Sequence, residues 1–335
     1  RIIVSNSTNP FFNIAFEQYL FNCPASAEEK VLYLWRNEPS VIIGRFQGAW
    51  KECRVQAMDA NRVHLVRRAS GGGAVYQDLG NSIFSFLGPK HGPKGISDNN
   101  SILVDALATA GIQAAPTGRN DIEVGGQKVS GAAFRHSKNR SLHHGTLLLN
   151  LDLQALGNYL TPNKLKMQSK GVSSVAARVM NLNTIAPHLT HDMISEELMK
   201  SFKKFHNIEE CPIEYVDESF VRSNEEVARN IATISDWEWR FGKEPEFSHH
   251  VETRFPWGLI DLYIVVKDGI IGEVTFNTDA LDVELVTAIQ DHLKGCEYSA
   301  DKIGIAMARA RDILGSNEAS KTNLSEFSAW LIDNL

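Results

Sequence analysis

Cysteine is scarce in this chain: four occur in 335 residues, at Cys23, Cys53, Cys211 and Cys296. None stands in a CxxC or other zinc-like spacing, which argues against a disulfide framework or a structural zinc site and fits a reducing compartment. Long apolar runs are also missing. Stretches such as Leu262–Val266 and Leu147–Leu149 fall far short of the roughly 20 residues that a membrane-crossing helix requires, so no membrane association is expected. Positive charge is not in excess. With 34 Lys and Arg against 40 Asp and Glu, the formal charge of -6 gives no general attraction to nucleic acid or anionic lipid. The 24 Gly and 11 Pro follow no repeating period, which excludes collagen-like and solenoid chains. What remains is ordinary globular usage, 43% hydrophobic and 22% charged, with length for about two domains. The chain begins at Arg1 in a strand-like run, so an initiator methionine or a cleaved targeting peptide would lie outside it.

Hydrophobic periodicity reads strands at Ile2–Ser5, Lys30–Trp35, Ser40–Gly44, Val63–Val66 and Gly145–Leu151, and helices at Phe12–Phe21, Glu52–Asn61, Ile102–Ala110 and Glu196–Phe205. Ala74–Gln77 and Asn81–Phe86 read as a strand pair around Asp78-Leu79-Gly80. Gly88–Gly95 reads as a mobile surface loop, and Asn163–Gly171 as a polar loop carrying Lys164, Lys166 and Lys170. After Trp237-Glu238-Trp239, the run Gly242–Glu246 reads as a linker. Beyond it Leu259–Lys267 and Ile270–Asn277 flank Asp268-Gly269, a hairpin signal, and helices follow at Val283–Lys294, Ala300–Leu314 and Leu324–Leu335. The expected fold class is α/β of the α+β type: a large mixed-sheet domain over residues 1–244, then a small α+β domain over 245–335.

The densest chemical signal is Arg67-Arg68-Ala69-Ser70-Gly71-Gly72-Gly73-Ala74-Val75-Tyr76. Three glycines permit positive φ and close approach of backbone to a ligand, and successive amides can form an anion nest. A glycine run alone is more often a turn, but two adjacent arginines, with donors suited to phosphate or carboxylate, favour anion binding. The pattern GxxxxGK[ST] is absent. The dinucleotide fingerprint fails as well, because position 76 is Tyr and strand rather than helix follows, so the loop should join two strands without a helix dipole.

A second signal spans Gly118–Gly131. If Gly125-Gly126 is a two-residue turn, Glu123 lies opposite Lys128 and Asp121 opposite Ser130, with Ile122 and Val129 on the other face. An exposed hairpin with a Glu123–Lys128 ion pair is the plainer reading. The alternative is that Asp121, Lys128 and Ser130 form a display suited to metal-bound phosphate and to a cation at a reacting carboxylate. A third signal, His143-His144-Gly145-Thr146, opens a buried-looking strand. Adjacent histidines there face opposite ways and do not make a zinc site, which leaves His144 as a core or pocket-lining residue. With no cysteine between Cys53 and Cys211 and no GxSxG, nucleophilic catalysis is poorly supported.

Taken in order, Arg67–Val75, Gly118–Asp121, Lys128–Gly131 and His143–Leu148 resemble the lipoate-protein ligase family, with its RRxSGGGAV, GRND, KxSG and HHGTLL segments. The resemblance extends through Phe12–Ala15, Leu34–Asn37, Val41–Arg45, Trp50–Cys53, Trp237–Trp239 and Phe241-Gly242, nearly the whole chain. It implies a fold of the biotin/lipoate ligase type and a two-step reaction: ATP activates lipoate to lipoyl-AMP, and the lipoyl group then passes to one lysine of a lipoyl domain. Carried over by position, Arg68, Ser70, Gly71, Gly72, Gly73, Ala74, Val75, Tyr76, Asn120, Asp121, Lys128, Ser130 and Gly131 would bind ATP and lipoyl-AMP. Lys128 would be the catalytic ammonium and Asp121 a Mg²⁺ contact. Ser70 and Arg135 would orient the lipoate carboxylate, and Val41, Gly44, Gly73, Arg135 and His144 would line the acyl slot. Lys166–Val175 matches a loop that covers adenosine in the family, although only Gly125-Gly126 connects Val124 to Gln127 where bacterial relatives are longer.

The expected partners are lipoyl domains of 2-oxoacid dehydrogenase E2 subunits and the glycine-cleavage H protein, with lipoate or octanoate as acyl substrate and a monomeric enzyme. Location would be cytoplasmic in a bacterium or mitochondrial in a eukaryote. Rival readings are a lipoyltransferase fed with preformed lipoyl-AMP or a lipoylated carrier, and a non-catalytic lipoate or nucleotide binder. A biotin ligase is disfavoured because no GRGRxGR loop stands where Arg67–Val75 does.

Overall fold

The first helix shows how local sequence sets the frame. Asn9 caps it, its side-chain oxygen accepting from the Phe11 and Phe12 amides at 2.9 and 3.4 Å, and Pro10 fits the first turn, where no amide is needed. The computed structural model describes residues 1–23, 28–118, 120–161, 179–241, 249–267 and 269–335. The polar loop of residues 163–171, the segment Lys166–Val175 and the linker Gly242–Glu246 lie outside the described residues.

In chain order the strands are β1 (Ile2–Ser5), β2 (Val31–Trp35), β3 (Ser40–Ile43), β4 (His64–Arg67), β5 (Val75–Gln77), β6 (Asn81–Pro89), β7 (Ala115–Thr117), β8 (Asp121–Val124), β9 (Gln127–His136), β10 (Arg140–Leu148), β11 (Ile213–Val216), β12 (His249–Phe255), β13 (Gly258–Lys267) and β14 (Ile270–Thr278). The helices are α1 (Pro10–Asn22), α2 (Ala49–Glu52), α3 (Val55–Ala60), α4 (Pro93–Thr109), α5 (Leu153–Tyr159), α6 (His191–Phe205), α7 (Glu225–Ser235), α8 (Trp237–Phe241), α9 (Val283–Leu293), α10 (Ala300–Ile313) and α11 (Glu318–Asp333). A large mixed sheet runs β11-β1-β2-β6-β10-β9-β8-β7, and two small sheets run β4-β3-β5 and β12-β13-β14. The α/β architecture with an α+β C-terminal part is therefore as expected.

Burial is layered. One face of the large sheet packs Phe84, Phe86, Val129 and Leu147 against Leu103 and Leu107 of α4 and Leu198 and Phe202 of α6. The other face packs Tyr33, Trp35, Ile83 and Leu142 against Phe12, Phe16 and Leu20 of α1, Val227 and Ile234 of α7, and Ile42 and Val66 of the small sheet. The far side of that small sheet covers a cluster of Val41, Met58, Leu65 and Tyr76. The C-terminal sheet has its own core around Ile260, Leu262, Ile289 and Phe327.

Several sequence expectations need correction. Ala74–Gln77 and Asn81–Phe86 do not pair: β5 lies against β3 and β6 enters the large sheet, because Asp78-Leu79-Gly80 carries the chain from one sheet to the other. The Gly88–Gly95 loop is short, since β6 reaches Pro89 and α4 begins at Pro93 in a first-turn position. The helix read over Glu52–Asn61 is broken into α2 and α3 by extended Cys53. The strand read as Gly145–Leu151 is shifted, β10 spanning Arg140–Leu148. The Gly125-Gly126 hairpin is present, both glycines having positive φ (58° and 80°) as a type I′ turn requires. A bulge between Ile122 and Glu123 alters its register, so Glu123 faces Lys128 as expected but Asp121 faces Gly131 and not Ser130.

His143 and His144 do face opposite ways. The His143 ring sits among Phe84, Phe86 and Phe134, with neither ring nitrogen hydrogen-bonded, and burial pushes its pKa down to about 3. In the unfolded chain it would titrate near 6.5, so the unfolded state binds the extra proton first on acidification. Stability from this group is intact above about pH 6.5 and falls toward pH 3 by about 1.4 kcal/mol per pH unit. Urea unfolding of His143→Phe is expected to show an acid-side slope shallower by one proton than wild type. Parallel slopes between pH 6 and 4 would contradict this.

Candidate active site

The glycine loop is built on a buried guanidinium. Arg68 is 6% exposed, and burial pulls its pKa down to about 10 while Glu17 pulls it up, so it stays charged at neutral pH. Its donors reach Ile42 O at 3.0 Å, Gly71 O at 2.6 Å, Gly73 O at 2.9 Å and Ser70 Oγ at 3.0 Å. A buried cation needs protein acceptors, and here strand β3 and the loop supply them through three carbonyls and the Ser70 hydroxyl. The geometry thus makes Arg68 a clamp that ties the loop to β3. Arg67 does similar work next door. It donates to Gly44 O, Arg45 O and Gln47 O on one side and to Trp239 O and Arg240 O on the other, and the Trp239 indole donates back to Arg67 O at 2.9 Å.

Close approach explains the glycines. A Cβ on Gly44 would lie 2.1 Å from Gly72 O, and Gly72 adopts φ +89°. A Cβ on Gly71 would lie 2.2 Å from Ala280 O, the same carbonyl that accepts from the Gly72 amide at 3.0 Å. The segment after β14 therefore rests on the loop. Asp279 holds that segment, bound by Arg254 at 2.9 Å and by the Leu259 amide at 2.8 Å.

Lys128 stands over the same sheet face. Its Nζ lies 2.6 Å from Asp121 Oδ1 and would meet a Cβ on Gly131 at 2.6 Å. Gly131 and Ala133 share a face by the strand period, and Ala133 Cβ lies 3.5 Å from where a Gly72 Cβ would be. Gly131, beneath the ammonium, and Ala133, against the glycine loop, are thus two residues or ~7 Å apart along β9. The bulge creates this: by moving Asp121 opposite Gly131 it gives Lys128 a partner other than the expected Glu123. Asn120 is tied to Ala132 through its carbonyl, which accepts from the Ala132 amide at 2.9 Å, and through its side-chain amide, which donates to Ala132 O.

His144 lies opposite Ala133 and so shares that face. Its Nε2 lies 2.7 Å from Ser70 Oγ and its Nδ1 2.8 Å from Glu17 Oε1. Glu17 is a functional candidate that sequence reading missed. A carboxylate placed among apolar neighbours in Phe12–Phe21 was the available signal, since an unpaired acid there would be costly. Arg135 stacks over Phe21 with its guanidinium carbon 4.2 Å from the ring centroid.

Other residues lie elsewhere. Val41 and Tyr76 are paired across β3 and β5 and belong to the cluster on the far side of the small sheet, where Tyr76 also meets Tyr159. Ala74 packs against that cluster, while Val75 packs against the core facing α1. Ser130 is buried, opposite Ile122. Among the described residues no group of three or more His, Cys, Asp or Glu could hold a metal ion, and no helix is long and apolar enough to cross a membrane.

Comparison with known proteins gives consistent matches. Residues 9–203 match the lipoyl protein ligase A/B catalytic domain, and residues 244–331 the bacterial lipoate protein ligase C-terminus. A lipoate-protein ligase A of Psychrobacter cryohalolentis is 41% identical across 100% of this chain and 98% of its own. The crystal structure of P. falciparum LipL1 in complex with lipoate superposes with a TM-score of 0.87 at 33% identity, covering 99% of each chain. A bi-partite lipoate protein ligase from Thermoplasma acidophilum, described with its E2 lipoyl domain, gives 0.64 at 25% identity over 74% of this chain and 98% of that one. A lipoate-protein ligase A bound with ATP gives 0.60 at 25% identity over 72% and 98%.

Because the obstacle at Gly71 is backbone, Gly71→Ala is expected to cost about 1–3 kcal/mol. It should loosen the segment around Ala280 from the loop, read as a lower melting temperature together with faster proteolysis near residue 280. A melting curve identical to wild type would contradict the packing described.

Proposed function

This chain belongs to the lipoyl protein ligase A/B family, and from that premise we propose that it is a lipoate–protein ligase that makes lipoyl-AMP from lipoate and ATP and then lipoylates a lysine. The observation that carries the mechanism is the Lys128 ammonium, held 2.6 Å from Asp121 on the sheet face that the glycine loop covers. In the first step a lipoate carboxylate oxygen attacks the α-phosphorus, a C–O–P bond forms, and the α–β anhydride breaks to release pyrophosphate. Negative charge gathers on phosphate oxygens during that attack, and an ammonium already in place stabilises it without reorganisation. In the second step the neutral acceptor amine attacks the acyl carbonyl, AMP leaves with the bonding electrons, and the amine proton goes to solvent. The same ammonium then faces the carbonyl oxygen. No enzyme nucleophile enters either step.

Around that centre, Ser70 and Arg135 orient the acid, and Gly71, Gly72 and Gly73, clamped by Arg68, present backbone to the nucleotide. Asn120, Gly131 and Ser130 shape the β8–β9 end, and Ala74, Val75 and Tyr76 continue the loop as its packed support. Gly44 and His144 line the acyl slot, with Val41 in the strand behind it. Asp121 would be the residue to hold Mg²⁺, a hard cation that takes oxygen ligands. It would neutralise phosphate charge. Residues 1–244 form the lipoate- and ATP-binding domain and 245–335 an accessory domain. Acceptors are lipoyl domains of E2 subunits and H protein, and the enzyme acts as a monomer, cytoplasmic in a bacterium or mitochondrial in a eukaryote. Support for the acceptor class is the archaeal relative described with its E2 lipoyl domain.

Lipoate, ATP and Mg²⁺ supplied together are expected to release pyrophosphate and then lipoylate an added E2 lipoyl domain. Preformed lipoyl-AMP used without any pyrophosphate release from lipoate and ATP would mark a transferase instead. Lys128→Ala should lower both steps by about 100- to 1,000-fold with an unchanged circular dichroism spectrum. Unaltered lipoylation by that variant would remove Lys128 from the mechanism.

A further inference from the structure

Two guanidinium groups beside the glycine loop, those of Arg45 and Arg135, have neither an acid nor a hydrogen-bond acceptor among the described residues. Arg45 follows Gly44 at the end of β3, and its backbone amide donates to Ser70 O at 2.9 Å. Its guanidinium carbon lies 4.3 Å from the Trp239 ring centroid and 5.6 Å from that of Phe46. Trp239 is itself pinned, its indole donating to Arg67 O and its carbonyl accepting from Arg67 Nε. Arg135 stands on β9, on the strand face of Gly131 and Ala133, and is stacked on Phe21. Both side chains are half-buried, so solvent still reaches them.

Stacking on a ring uses the face of a guanidinium and leaves the N–H donors along its edge unspent. It orients the group but brings no counter-charge. Burial pulls the pKa of both groups down, and at Arg135 Glu17 opposes that fall while Arg45 adds to it. Arg67 is lowered by burial and then by Arg45 as well. The two free guanidinia thus repel one another and their neighbours, and Glu17 is the acid set against them. Such an arrangement costs stability until an anion arrives.

The chemistry says which anion. The first step of the ligase reading brings two anions side by side, a carboxylate with one negative charge and a triphosphate with several, and each needs its own cation. Arg135 is given to the carboxylate in that reading. We propose that Arg45 is a binding residue for the β- and γ-phosphates of ATP, and so for pyrophosphate before it leaves, held ready by its stack on Trp239. This deepens the ligase reading and rests on it. A planar fork of donors bridges two phosphate oxygens at once, which a lysine ammonium does not do. In strand order Lys128 stands over Gly131, the loop over Ala133, and Arg135 beyond, so Arg45 joins the end of the face away from Lys128.

The test uses the full chain. Arg45→Met keeps an unbranched chain against Trp239 and removes the charge. It is expected to raise KM for ATP in pyrophosphate release, and to weaken binding of inorganic pyrophosphate in calorimetry, each by about 10- to 100-fold, with KM for lipoate unmoved. Arg45→Lys should recover part of that loss, and it replaces Arg45→Met should the latter fail to fold. A structural role alone would lower stability or kcat without singling out the two phosphate ligands. Wild-type KM for ATP and wild-type pyrophosphate binding in the folded variant overturn the proposal and leave the ligase reading standing. A rise confined to KM for lipoate also overturns it, by placing Arg45 on the carboxylate. Pyrophosphate binding that depends on Arg45, in a wild type that releases none from lipoate and ATP, overturns the ligase reading and leaves the phosphate site.

Discussion

A guanidinium shut away from water has to find protein acceptors for its donors, and in this molecule that requirement shapes the site. Arg68 draws the carbonyls of Gly71 and Gly73 inward from a loop that has no side chains to obstruct it. A substituent at residue 72 would meet the Arg68 guanidinium at 2.9 Å, and one at residue 44 would strike the loop carbonyl. Turning carbonyls toward the buried cation leaves an electropositive backbone surface on the other side, which is what an anionic ligand requires. In the ligase proposed above, such a loop would bind charge without a helix dipole, through a cation that need not touch the ligand.

The second element is a strand irregularity. Without the bulge in the β8–β9 hairpin, Asp121 would lie opposite Ser130, one position short of Gly131. With it, Asp121 fixes Lys128 above Gly131, where a side chain would occupy the space the ammonium takes. The ion pair is partly exposed, so its contribution to stability is small and its value is in placing a charge. The C-terminal part contributes at the same spot, because Ala280 O accepts from the Gly72 amide. A nucleotide phosphate seeking that amide would compete with this carbonyl.

Much of this was legible in the sequence because it is local. Three consecutive glycines after two arginines, a Gly-Gly turn between alternating strands, and paired histidines entering an apolar strand each carry a short-range physical meaning. What was not legible depended on partners distant in the chain. The sheet switch after Gln77 is decided by which strand β5 meets, and the bulge by what Asp121 and Gly131 face. Val41 and His144 were expected to share one slot, but β3 turns Val41 to the opposite side, a parity that only the strand's packing determines. Glu17 looks like one acid in an apolar helix until β10 brings His144 beside it, 127 positions on.

The most direct measurement is a crystal structure with a non-hydrolysable lipoyl-adenylate analogue bound. The account predicts Lys128 Nζ within about 3 Å of the acyl carbonyl or an α-phosphate oxygen, and the Gly71–Gly73 backbone against the phosphate. An ammonium that remains on Asp121 alone, with the adenylate bound away from the glycine loop, would contradict it.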